Sequence, residues 1–187
     1  MAVSARRPRF GGTLGEIGVT RVVAVAVTML VAVALQSTLL AQLTILGVIP
    51  QLVLVVLVSF AYVDGERVGI VTGFFAGLLV DLLSPQSIMG LHALVYTMIG
   101  FLAGRLRQYM PGESVWVPVL TVAAATAIAE ASYAVLSIIM GQTWVSFAVT
   151  ARIISLVVLY NTLLTPLAFP IVRKVADRFR PERVYRW

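Results

Sequence analysis

GIVTGFFAGLLVDLLSPQSIMGLHALVY, residues 69–96, is apolar enough to lie in a membrane, yet it carries three glycines spaced by four, an aspartate and, past a Ser-Pro break, a histidine. On a helix, positions i, i+4 and i+8 share a face. Gly69, Gly73 and Gly77 therefore form a groove into which a neighbouring backbone can come close. Lipid supplies no hydrophobic drive between helices, so small residues that permit close packing take its place. The spacing recurs at Gly100 and Gly104, and again at Ala123, Ala127 and Ala131. Glycine and alanine are also simply frequent in membrane helices, an alternative that weighs most for the alanines. Spacing does not say whether the groove receives another span of this chain or another protein.

Outward from that stretch, the 187-residue chain is 60% hydrophobic and only 12% charged. A soluble domain places charge on roughly a quarter of its positions to cover its surface, so lipid is the natural solvent for this one. There is no cysteine and a single histidine. Disulfides, thiolate metal sites and imidazole clusters are thereby excluded, and no metal, cofactor or redox chemistry is expected.

Breaks in the apolar pattern separate six spans: Val22 to Leu40, Leu43 to Val63, Val68 to Leu83, Ile88 to Leu106, Val115 to Met140 and Ile153 to Val172. A hydrocarbon core of about 30 Å asks for about 20 helical residues, so the third span is short and the fifth must tilt or protrude. The expected organisation is a basic cytoplasmic segment (1–21), an all-α six-helix membrane domain (22–172) and a basic cytoplasmic tail (173–187). Lys and Arg in short loops stay on the cytoplasmic side. Of the 14 such residues only Arg152 falls in an opposite-side connection, which predicts both termini inside. The first span reads as a retained helix, since no small-residue cleavage site follows it. The net charge of +6 then concerns topology and anionic lipid at the basic termini. Phe179, Tyr185 and Trp187 in the tail fit interfacial anchoring, and no nucleic-acid partner is expected.

An ionisable side chain at the bilayer centre costs about 2.5–3.5 kcal/mol on insertion scales, so each asks for a partner or a purpose. With that topology Gln36, Gln42, Asp81, Gln86, His92, Glu130, Gln142 and Arg152 all fall in the outer half or at its rim. Asp81, His92, Glu130 and Arg152 are the expected members of an outer polar pocket. Asp81 and His92 could form a carboxylate–imidazole pair with Ser84 or Ser87 beside it, but no oxyanion motif accompanies them and no catalytic residue is assigned. The structural reading has Asp81 bracing the break at Ser84 and Pro85, with His92 bonded across the turn. Glu130 has Arg152 or Tyr133 as candidate partners, Tyr133 sharing its face at i+3.

Pro50 opening the second span, the ending G-x-L-x-D at Gly77, Leu79 and Asp81, the following G-L-x-A-L at Gly90, Leu91, Ala93 and Leu94, and the pair Arg105 and Arg107 together resemble the rod shape-determining protein MreD family. The resemblance covers about Pro50 to Arg107. Members of that family often carry an acidic or amide residue after the proline, and Gln51 supplies an amide. The resemblance implies a non-enzymatic bacterial plasma-membrane protein of the wall-elongation machinery, acting with MreC, MreB, RodA and a class B penicillin-binding transpeptidase. It further implies a six-helix architecture similar to the substrate-binding subunit of energy-coupling-factor vitamin transporters. Three readings follow: a membrane scaffold that binds MreC through the glycine groove and helps maintain rod shape, a small-molecule binding subunit of an importer whose cargo sits in the outer pocket, or a binder of a lipid-linked precursor held in that same pocket. The first span lacks the Ala-x-x-x-Ala face with which such importer subunits dock.

Overall fold

The computed structural model describes residues 18–42, 44, 47–84, 87–109, 116–142 and 146–179. Six helices follow in chain order: α1 (Val19–Leu35), running into a π-helical turn at Gln36–Leu40, α2 (Leu52–Asp64), α3 (Glu66–Leu83), α4 (Leu91–Tyr109), α5 (Trp116–Ile139) and α6 (Phe147–Arg178). Three stretches, Val19–Leu40, Trp116–Ile139 and Phe147–Arg178, are long and apolar enough to cross a membrane.

The shortest helix, α2, has 13 residues and stands at the centre. Its sequence LVLVVLVSFAYVD is apolar on every side, which suits a helix with neighbours all round. Val53, Leu54, Leu57, Val58 and Phe60 have no exposed surface at all (0% each). The other five helices all pack on it, and among themselves they form a ring in the order α1, α3, α4, α5, α6 and back to α1. Large apolar side chains such as Leu30, Phe75, Leu102, Leu120 and Leu163 cover the outside of this ring. Such a surface is stable against lipid.

The second expected span, Leu43 to Val63, is shortened. Its helix begins only at Leu52, because Gly47 takes a left-handed conformation (φ +83°) and Pro50 disfavours helix at the residue before it. Leu43, Ile45 and Leu46 of that span lie outside the described residues. The sixth helix is longer than expected at both ends and runs for 32 residues. Arg21 and Arg173, expected in or at the flanking segments, fall within α1 and α6. Arg6, Arg7, Arg9, Gln86, Arg180, Arg183, Tyr185, Arg186 and Trp187 lie outside the described residues.

A single residue joins α2 to α3. Gly65 has φ +93° and ψ −178°, a region open essentially to glycine alone. Charges gather beside this turn: Arg21 Nη2 pairs with Asp64, whose side chain is fully buried, and Arg105 Nη1 lies 3.5 Å from Glu66 Oε2. These residues define one end of the bundle, the basic end.

The glycine groove of α3 is filled by α4. A Cβ placed on Gly69 would stand 2.2 Å from the Gly100 carbonyl oxygen, and one on Gly100 would stand 2.1 Å from that of Gly69. Gly73 faces the Tyr96 carbonyl (2.3 Å), Gly77 that of His92 (2.4 Å), and Gly104 the Glu66 nitrogen (2.4 Å). Backbone meets backbone along the whole contact, so the groove is not open to another protein. The alanine face is placed differently. The stripe that α5 buries runs through Pro118, Thr121, Val122, Ala125, Thr126 and Ala129, while Ala123 and Ala127 are half-buried and Ala131 is exposed. Packing around α2 selected Val122, Ala125 and Ala129 by direction, not by size.

Candidate functional site

Helix α4 begins inside the bundle. Its N-cap position is Gly90, which has no side chain to cap the first free amides. The missing acceptor comes from α3. Asp81 Oδ1 accepts from the His92 backbone N–H (3.2 Å) and Oδ2 from those of Gly90 (2.9 Å) and Ala93 (3.2 Å). His92 and Ala93 occupy the second and third helical positions, the two amides that a capping side chain normally serves. Asp81 Oδ1 also accepts from Ser87 Oγ (2.7 Å) and lies 2.7 Å from His92 Nδ1. Negative charge at a helix N-terminus is favoured by the helix dipole as well. The groove explains the reach: Gly77, one turn before Asp81, lets α3 approach close enough for a short side chain to cap its neighbour.

Helix α2 begins inside the bundle too, and it is capped from two other elements. Gln36 Oε1, at the π-helical turn after α1, accepts from Val53 N–H (2.9 Å). Asn161 Oδ1 of α6 accepts from Gln51 N–H (2.9 Å), and Asn161 Nδ2 donates to Thr126 Oγ1 of α5 (3.2 Å). Asn161 and Thr126 are fully buried (0% each). Gln51 Nε2 donates to Glu130 Oε1 at 2.6 Å, so the second carboxyl at depth also sits beside a helix start.

These groups share a level. From the basic end (Arg21, Asp64, Glu66, Arg105, Trp116, Arg173), counting along each helix reaches Gln36, Gln51, Asp81, His92, Glu130 and Asn161 after roughly a dozen to fifteen residues. At a rise of about 1.5 Å per residue that puts them about 18–22 Å from the basic end. Between the two capped starts lie aromatic rings. His92 lies against Tyr133 at 4.3 Å between centroids and edge-on to Tyr96 at 5.7 Å. Tyr96 is buried and within electrostatic range of Glu130, Asp81 and Tyr133.

Of the residues expected in an outer pocket, the structure puts Asp81 in contact with His92, and Glu130 in the same layer. Arg152 stands apart, on the exposed side of α6, and among the described residues it forms no ion pair with Glu130. The inward side of α6 at this end carries Val157 and Asn161, and a guanidinium is better solvated where it is. Ser87, His92 and Asp81 do not make a nucleophilic triad. Ser87 Oγ and Asp81 Oδ1 converge on the same imidazole nitrogen, Nδ1, at 3.1 and 2.7 Å, whereas a relay needs the serine on the nitrogen away from the carboxylate. Among the described residues no three His, Asp or Glu side chains converge as metal ligands would.

Asn161 and Thr126 are the members that sequence reasoning missed. The signal available was an asparagine in the middle of the sixth apolar run, which in lipid needs a partner.

No curated protein and no solved structure matches the chain. A model of the rod shape-determining protein MreD matches residues 17–175, which takes in α1 to α5 and α6 up to its last turn. The chain therefore belongs to the MreD family of rod shape-determining proteins.

Proposed function

We propose that the chain is a non-enzymatic scaffold of the bacterial wall-elongation complex in the plasma membrane, crossing six times with both termini in the cytoplasm and binding MreC to help maintain rod shape. The observation that carries this reading, within a family of shape determination, is that the polar layer is turned inward. Asp81, Gln36 and Asn161 spend their oxygens on backbone amides of α2 and α4, which favours a structural role over the lining of a cargo pocket. The Lys/Arg distribution supports the orientation.

The glycine seam being occupied by α4, partners meet the chain on other faces. Helix α1 is pinned by Arg21 at one end and Gln36 at the other, buries only Met29, Ala32 and Val33 between them, and leaves Val23, Val27 and Leu30 exposed. We place the MreC contact there.

The test is photocrosslinking from positions 23, 27 and 30 in native membranes, followed by affinity purification and mass spectrometry. MreC should be recovered, with RodA, the transpeptidase and MreB as further members. Paired ATPases with a coupling subunit would make the polar layer a cargo site instead. Because the chain has no cysteine, topology is read with an impermeant thiol reagent. Thr44→Cys and Gly141→Cys should label from outside intact spheroplasts, and Tyr109→Cys should not; the reverse pattern would refute the orientation.

A further inference from the structure

Two carboxyl groups serve the polar layer, and they are served in return very unequally. Asp81 receives five donors: the Ser87 hydroxyl, the His92 ring and the backbone N–H groups of Gly90, His92 and Ala93. That many donors suit an ionised carboxylate. Glu130 receives one, the Gln51 amide at 2.6 Å. Among the described residues no cation lies within ion-pair distance of Glu130. Glu130 is half-buried on an apolar helix, where an anion with a single donor is poorly supported.

The same amide has a complementary defect. Gln51 Oε1 is buried and, among the described residues, receives no hydrogen bond. Turning the amide over only moves the deficit, because Oε1 would then face a carboxylate oxygen that has nothing to donate. A neutral carboxyl removes both faults. Its carbonyl oxygen accepts from Nε2, and its hydroxyl supplies the donor that Oε1 lacks.

Among the described residues no Lys or Arg side chain reaches Glu130 to hold it ionised. Helix α4 brings Tyr96 and, beyond it, His92, whose Nδ1 is engaged by Asp81 of α3. Helix α5 adds Tyr133, α2 presents Gln51, and α6 carries Asn161 at this level, Tyr160 beside it and the exposed Arg152. An ionised Glu130 would add a second negative charge to the surroundings of Tyr96, where Asp81 already supplies one.

We propose that Glu130 holds a proton in the folded protein and shares it with Gln51 Oε1, so that the start of α2 is a proton-binding site joining α2 to α5. Folded protein binds this proton more tightly than unfolded protein does. The stability it contributes is therefore fully present below the ordinary glutamate pKa of about 4.3 and is lost as pH rises from there to the point at which Glu130 of the folded protein ionises.

Infrared difference spectroscopy of the full chain in lipid vesicles tests the assignment, wild type against Glu130→Gln and Gln51→Leu. The wild type should show the C=O stretch of a protonated carboxyl at neutral pH that Glu130→Gln lacks. In Gln51→Leu the band should move to higher frequency, its acceptor being gone. No such band, or a band unmoved in Gln51→Leu, overturns the proposal. A second measurement needs only the wild type: as pH rises the melting temperature should fall while the band persists, and level off where the band is lost. A melting temperature that does not change over the range in which the band persists would equally refute it. Glu130→Gln, a neutral isostere, should melt with a flat profile over the same range.

Discussion

Alanine at position 77 tests whether the approach of α3 and α4 and the capping of α4 are one device. Contact becomes ordinary at 3.4 Å, and a Cβ on Gly77 would stand 2.4 Å from the His92 carbonyl oxygen and 2.5 Å from the Ala93 Cα. Both are backbone atoms and cannot rotate away, so the helices must part by about 1 Å, an overpacking that typically costs about 1–3 kcal/mol. The same parting acts on Asp81. Its bonds to the His92 and Ala93 amides, 3.2 Å each, would stretch to about 4 Å, beyond hydrogen-bonding range. Bonds to a charged acceptor contribute about 1.5–3 kcal/mol each. Alanine gains back about 1 kcal/mol in helix propensity, and part of the strain relaxes, leaving a net loss of about 3–5 kcal/mol against a total stability of about 5–15. Gly69→Ala is the control: it meets the Gly100 carbonyl at 2.2 Å but lies three turns from Asp81, so it should lose only about 0–2 kcal/mol. Equilibrium unfolding in mixed micelles, followed by far-ultraviolet circular dichroism, gives both numbers. If Gly77→Ala is no less stable than Gly69→Ala, the capping and the groove are independent and the reasoning fails.

Other perturbations probe the remaining supports. Asp81→Ala strips the acceptor from three backbone amides and should cost about 3–5 kcal/mol; hydrogen exchange at Gly90, His92 and Ala93 should accelerate, and unchanged exchange there would exclude the capping role. Asn161→Leu leaves the half-buried Gln51 N–H without its acceptor, a loss of about 1–3 kcal/mol by unfolding, whereas a neutral result would mean that water serves that amide. Arg21→Met breaks a pair whose side chains are 16% and 0% exposed and should destabilise by about 3–5 kcal/mol. The double variant Arg21→Met, Asp64→Asn should recover most of that, and additive losses would argue against coupling. Gly65→Ala forces φ +93° on a residue with a Cβ and should cost about 1–3 kcal/mol, measured by the same unfolding titration.

Much of the site was readable before any coordinates, and for definite reasons. Gly69, Gly73 and Gly77 have the one spacing that aligns small residues on a helix, and lipid gives that spacing a single use. What it could not reveal was the occupant, since Gly100 and Gly104 of the same chain and a foreign helix fit the groove equally well. The link from Asp81 to His92 across a turn was legible because both lie close to the break at Ser84 and Pro85. Capping in trans was not, because it depends on how near α4 comes. Glu130 was visible as an isolated acid in an apolar run, with Arg152 or Tyr133 as candidate partners. Gln51, which does donate to it, lies farther away in sequence than either, and only the ring of helices around α2 brings Gln51 to α5.

By itself the sequence determined the solvent, the helical class and the family pattern. Apolar run length, positive charge at one set of loops and glycine spacing are local quantities that hold whatever the runs pack against. The tertiary structure decided which run is central, where the second helix starts and what the polar residues are for. An all-apolar run such as LVLVVLV is equally content against lipid or against protein, so nothing within it says that five helices surround it. Once α2 and α4 begin inside the bundle, their first amides must be satisfied there. Gln36, Asp81 and Asn161, scattered along the chain, are brought to two helix starts by that requirement.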